Sequence, residues 1–215
     1  MNYFAHGVGS FGDPYRLAGT AVPDWIRASD RRSRLRPERL DGEAGLVASL
    51  AAGIRRHFED DRWFHQTAAF HEVSRDLTRR VVALEPDNRH MRAFFLGHVL
   101  LELLLDACLI EREPESLPRY YEALAQADAG EIGRAVAGWS EPAAERLGRF
   151  MELFLQERFL FDYLDNQKLV HRFSQVARRA GLERVPDGLV GLLPEARELV
   201  RAATDALMTG GEGAG

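Results

Sequence analysis

The 215-residue chain has one cysteine, Cys108, set in the apolar run "LELLLDACLI". A single thiol allows no internal disulfide and no thiolate-built metal cluster, and a reducing, cytoplasmic setting is the expectation. Positive charge is in deficit, with 28 Lys and Arg against 33 Asp and Glu and a formal net charge of −5. Nucleic acid is therefore not an expected partner, because affinity for a phosphate backbone needs a concentrated basic surface. No sustained alternation of apolar and polar residues occurs, which argues against a sheet. The N-terminus shows no basic region, continuous apolar stretch or small-residue cleavage site of the secretory kind. The most apolar segment, "AFFLGHVLLELLLDACLI", carries His98, Glu102 and Asp106, groups that are costly in lipid. It reads as a buried helix, and no membrane partner is expected.

What is present is helical periodicity. Apolar residues recur at helical spacing over roughly 15–27, 37–61, 64–84, 88–111, 116–127, 142–162, 164–180 and 192–208. The expected fold class is all-α, a compact helical bundle forming a single domain over residues 1–208, with the small polar tail 209–215 disordered. Punctuation agrees: Pro37 suits a first helical turn, Ser140 an N-cap with Pro142 just inside, and Gly181 a helix end. The opening "MNYFAH" reads as a strand-like apolar run. "GEAGLVASLAAGI" is rich in small residues, which would let a neighbouring helix come close.

Six of the seven histidines, His6, His57, His65, His71, His90 and His98, fall in the first half, and His171 stands alone in the second. Helical residues four apart share a face. In "IRRHFEDDRWFH", His57, Asp61 and His65 form such a stripe, and in "GHVLLELLLDACL" so do His98, Glu102 and Asp106. Two facing stripes could hold a metal, and mixed imidazole and carboxylate suits Mn²⁺, Fe or Zn²⁺ better than Mg²⁺ or Ca²⁺. For Asp60, Asp61 and Arg62 alone, a solvated charged face is the favoured reading. The second stripe lies on a helix apolar almost all round, so its acids must be paired, hydrogen-bonded or metal-bound. An internal arginine salt bridge explains the acids but not the histidine on the same stripe. His71, His90 and His171 read as surface or core-edge residues. "GVGSFG" lacks the strand and lysine of a phosphate loop. The run "WIRASDRRSRLRPERL" is strongly basic within an acidic chain, either an ordinary solvated loop or a guanidinium-rich landing site for phosphate.

Several segments, taken in order, resemble the bacterial acyl carrier protein phosphodiesterase family, relatives of the HD-type metal-dependent phosphohydrolases. "MNYFAH" is similar to that family's opening, and "LAGTAVPDWIR" to its Gly…Asp…Arg segment, placing Gly19, Asp24 and Arg27 in register. "AGIRRHFEDD" resembles its Gly, His and Asp stretch through Gly53, His57 and Asp61, and "FFLGHVLLELLLD" resembles the helix carrying its later histidine through His98. "RFLFDYLDNQKLVHRFSQVARRAG" looks like its closing helices. Thr20 replaces the usual Asn, and Gly97 the usual Asp. The resemblance implies an HD-like fold and hydrolysis of the 4′-phosphopantetheine phosphodiester of holo acyl carrier protein, with Mn²⁺ as cofactor. With the two stripes it implies His6, His57, Asp61 and His98 as metal ligands and Asp24 or Glu102 as the catalytic proton acceptor. Arg27, Arg31 and Arg32 would bind substrate, with His65 and Asp106 as secondary candidates. Competing readings are hydrolysis of another phosphoester or nucleotide, and a metal-free helical interaction protein.

Overall fold

The computed structural model describes all residues except 30–32, 34, 36–39, 41–43, 89, 141–143 and 210–215. The fold is all-α, as expected, and every regular element among the described residues is helical. In order these are α1 (Tyr3–Gly7), α2 (Pro14–Ser29), α3 (Leu46–Phe64), α4 (Ala68–Leu84), α5 (Ala93–Arg112), α6 (Ser116–Leu124), α7 (Ala129–Ala137), α8 (Ala144–Glu157), a 3-10 turn (Phe159–Leu164), α9 (Asn166–Arg179) and α10 (Leu189–Met208). The chain forms two compact units, one of Met1, residues 3–61 and 114–159, the other of Asn2, residues 62–113 and 160–215. The expectations for Pro37, Pro142 and most of the tail fall on residues outside those described.

In the first unit α2 packs on α1, α6 and α8, and α7 on α8. Trp25, Phe4, Leu17, Tyr120 and Phe154 are almost fully buried. Each large apolar side chain so enclosed stabilises the fold by roughly 1.5–3 kcal/mol relative to exposure. The rings meet edge-on, Trp25 with Phe154 at 5.4 Å and Tyr3 with Phe154 at 5.1 Å between centroids. Helices α2 and α3 touch backbone to backbone at two glycines. A Cβ on Gly53 would overlap the Arg16 carbonyl oxygen and lie 2.8 Å from Gly19 Cα, and one on Gly19 would overlap the Leu50 carbonyl oxygen. The small residues before Ile54 do what their size suggests. They let two helices approach closer than any side chain permits.

Two helices here depart from the sequence reading. The strand-like opening is the short helix α1, too brief for a 3.6-residue period to show. Helix α7 was not expected, because Gly130 and Gly133 weaken its propensity. Its start is nevertheless written locally, since the Asp128 carboxylate accepts the Glu131 N–H at 2.7 Å as an N-cap. Helix α8 stops at Glu157 rather than running to 162, because Arg158 takes a left-handed conformation (φ 47) and lays its guanidinium over the Tyr121 ring.

In the second unit α5 is the central element, packed by α4, α9 and α10. That explains its composition: Leu96, Leu100, Leu101, Leu103, Leu104, Leu105 and Ile110 are all nearly inaccessible. By length and hydropathy α5 could cross a membrane, yet most of it is buried within the fold. Gly97 is again a point of close approach, where a Cβ would lie 2.9 Å from the Thr78 backbone nitrogen on α4. The α4 N-cap is Thr67, whose hydroxyl accepts the Phe70 N–H.

Candidate metal centres

In the first unit His6, His57 and Asp61 are gathered by three helices. Each offers one ligand atom, and these atoms lie within 4.8 Å of one another. Helix α3 presents His57 and Asp61 one turn apart, α1 supplies His6, and the glycine crossing brings α2 against His57. The Thr20 carbonyl of α2 lies 2.8 Å from His57 Nδ1. A carbonyl only accepts, so Nδ1 carries the proton and the Nε2 lone pair faces Asp61 Oδ2 at 3.6 Å. His6 is oriented in a parallel way. Its Nδ1 faces Asp60 Oδ2 at 3.4 Å, and its Nε2 faces Asp61 Oδ1 at 3.4 Å without a well-directed hydrogen bond. The two rings stack with centroids 4.0 Å apart. Engaging the distal nitrogen of each imidazole with a carbonyl or carboxylate is the arrangement that prepares histidines for metal.

The electrostatics agree. Burial pushes the Asp61 carboxyl upward, but His6, the Met1 amine 2.7 Å from Oδ1, and His57 hold it far below the ordinary carboxylate range. Burial disfavours charge on His6, yet the facing carboxylates of Asp60 and Asp61 outweigh it and raise its pKa. Burial, then the neighbouring His6 charge, lowers that of His57. A metal ion between these three atoms would bring positive charge to the same carboxylate.

Asp60 and Thr20 were not expected to take part in the site. Asp60 reads as part of a solvated charge run but is only 2% exposed, held by Arg56 Nε at 2.6 Å. The signal was available: Arg56 and Asp60 repeat, one residue earlier, the spacing of His57 and Asp61. Asp24 lies half-buried one turn beyond Thr20 on α2, outside the three ligand atoms, where its charge favours protonation of His57. Arg27 is exposed in the last turn of α2, while Arg31 and Arg32 lie outside the described residues.

In the second unit the structure places His98 with His65 and Glu102, and not in the set formed by His6, His57 and Asp61. His98 Nε2 is 3.0 Å from Glu102 Oε1 and 3.2 Å from His65 Nε2, and His65 Nε2 is 3.5 Å from Glu102 Oε1. Phe70 meets both rings edge-on, at 4.9 Å from His65 and 5.0 Å from His98. Burial would raise the Glu102 carboxyl, but hydrogen bonding to His65 and His98 is among the influences that hold it well below the usual range. Asp106, the last acid of that stripe, is fully buried and belongs to neither set.

Among the described residues, the fold and these sets define a class: an all-α protein with two histidine–carboxylate clusters that could hold a metal ion. Compared with protein-family models, curated proteins and solved structures, the chain gave no significant match.

Proposed function

We propose that the protein is an HD-like metal-dependent phosphodiesterase whose substrate is the 4′-phosphopantetheine phosphodiester of holo acyl carrier protein. The observation that carries this reading is the meeting of His6, His57 and Asp61, with the Nδ1 of each imidazole already engaged. The resemblance of "MNYFAH", "LAGTAVPDWIR" and "AGIRRHFEDD" to the acyl carrier protein phosphodiesterases supports the choice of substrate.

His6 Nε2, His57 Nε2 and an Asp61 oxygen would hold the ion, Mn²⁺ in this reading, with Fe or Zn²⁺ compatible with the same donors. A cation bound there supplies Lewis-acid polarisation of a phosphoryl oxygen and acidifies water. Thr20 and Asp60 keep both rings in the tautomer that frees Nε2. Asp24, a carboxylate in the same unit not used as a ligand, takes a proton during hydrolysis. Arg27, with Arg31 and Arg32 beyond it in sequence, offers guanidinium donors to phosphate and attracts an acidic carrier at long range.

Protein purified without chelators is expected to retain a transition metal. His57→Ala and Asp61→Ala are expected to empty this set while circular dichroism shows unchanged helix content. Full occupancy in both variants removes these residues as ligands. Incubation with holo carrier protein, followed by intact-mass measurement, should show loss of the prosthetic group. An intact carrier alongside cleavage of a general phosphodiester moves the substrate to another phosphoester or nucleotide. Absence of both metal and hydrolysis leaves a helical interaction protein.

A further inference from the structure

We infer that His65, His98 and Glu102 form a second, separate metal site, one that takes a tetrahedral transition-metal ion of the Zn²⁺ class and leaves its fourth position open. The site lies wholly within the second unit, and the inference does not depend on the phosphodiesterase reading.

The argument begins with spacing. Ligands bound to one tetrahedral Zn²⁺ at about 2.0–2.1 Å stand roughly 3.4 Å from one another. The three sides of the triangle formed by His65 Nε2, His98 Nε2 and Glu102 Oε1 are 3.0, 3.2 and 3.5 Å. The ring centroids of His65 and His98 are 4.9 Å apart with planes at 45°. Two imidazoles directed at one such ion place their centroids about 5 Å apart. The separation therefore suits radial ligation, as a tight parallel stack would not.

Hydrogen bonds join these three atoms only in pairs. Two imidazole nitrogens and a carboxylate oxygen converge, and a proton on either ring can be directed at one neighbour but not at both. A cation at the centre engages all three. The rings cannot easily turn away, because Phe70 packs against both, and Phe70 is itself 3% exposed and tied through its backbone to the Thr67 cap. Below them, the contact of Gly97 with Thr78 fixes α5 against α4.

Donor chemistry narrows the ion. Two imidazoles and one carboxylate suit Zn²⁺ and its neighbours in the transition series, whereas Mg²⁺ and Ca²⁺ prefer oxygen throughout. The side chains of His65, His98 and Glu102 are 34%, 29% and 18% exposed. Solvent thus reaches one side, so an ion there carries water or a small anion as its fourth ligand and exchanges readily.

The test is equilibrium dialysis of the metal-stripped full-length protein against Zn²⁺, read by elemental analysis, with parallel Co²⁺ titrations followed by visible absorption. Wild type should bind two equivalents. His65→Ala and Glu102→Gln should each bind one, and each should lose the intense Co²⁺ bands diagnostic of tetrahedral coordination at this site. His65→Gln, closer in size, guards against a folding defect and should behave likewise, with circular dichroism unchanged. Asp61→Ala should remove the other equivalent and leave those bands in place. The inference is overturned if His65→Ala, His65→Gln and Glu102→Gln bind as much Zn²⁺ as wild type, or if wild type binds a single equivalent that Asp61→Ala abolishes. Retention of metal by Asp61→Ala at its own set would instead overturn the phosphodiesterase centre, so the two failures are distinct.

Discussion

The set on α1 and α3 and the set centred on α5 solve one problem in two ways. In the first, hydrogen bonds orient the rings: Thr20 and Asp60 each engage an imidazole Nδ1, and His6, His57 and Asp60 are almost inaccessible. In the second, packing against Phe70 orients them, and the side chains of His65, His98 and Glu102 remain partly exposed. Each set is preceded on its helix by a glycine that allows another helix to touch, Gly53 before His57 and Gly97 before His98. The difference teaches that imidazoles can be held by hydrogen bonds to buried acceptors or by packing on an aromatic ring, and that the first arrangement encloses the rings while the second leaves them open to solvent.

The sharpest way to break this comparison is at the crossings. Gly53→Ala places a methyl onto the Arg16 carbonyl oxygen, a backbone atom that cannot rotate away. A loss of about 3 kcal/mol is expected in urea unfolding, together with loss of metal from the His6 set. Gly97→Ala should cost less, about 1–2 kcal/mol, because its tightest obstruction is the Thr78 hydroxyl, a side-chain atom, and the nearest backbone atom, the Thr78 nitrogen, is farther off at 2.9 Å. Equal costs would show that the two crossings are equivalent.

The orienting layers come next in size. Asp60→Asn should weaken metal binding at the first set by about 10- to 100-fold in a chelator competition and leave the second unchanged. Phe70→Leu should do the reverse, with a smaller change, since it loosens the rings without removing a hydrogen bond. If Asp60→Asn leaves the first set's affinity unaltered, Nδ1 engagement is not what prepares those rings.

Cys108 on α5 offers a quieter probe of the second unit. Burial pushes its thiol up to about 11, and it is 3% exposed, so a thiol reagent at neutral pH should label it only as the unit opens. Gly97→Ala should speed that labelling, and rapid modification of the native wild type would contradict the packing of α5. The smallest effect expected concerns Glu85, the C-cap of α4, which receives Arg184, Asn88 and the Asp187 N–H. These bonds, Arg184 first, lower its pKa from 4.5 to about 2. A depressed folded-state value means that the contribution is fully present above about 4.5 and fades as pH falls toward about 2. Glu85→Gln should be slightly less stable than wild type at neutral pH, and the gap should close across that interval in acid denaturation.

Much of this was legible in the residues. The buried character of α5 follows from apolar residues on every face, and His57 with Asp61 and His98 with Glu102 share faces by spacing alone. The close approach at Gly53 was foreshadowed by the run of small side chains before it. Less was legible where the signal is short or misleading. Five residues of α1 are too few to display a period, two glycines mask α7, and Asp60 sits in a charge run that resembles a solvated surface.

The one-dimensional order of residues determined which side chains share a helix face, because the turn of an α-helix is the same wherever it occurs. It also determined that α5 must be enclosed, because exposing that many leucines to water is too costly. Only the tertiary structure decided that His6 joins His57 and Asp61 while His98 joins His65 and Glu102. Partner choice depends on which faces meet, and that is set by close packing among residues far apart in the chain, here through contacts as small as one glycine against another.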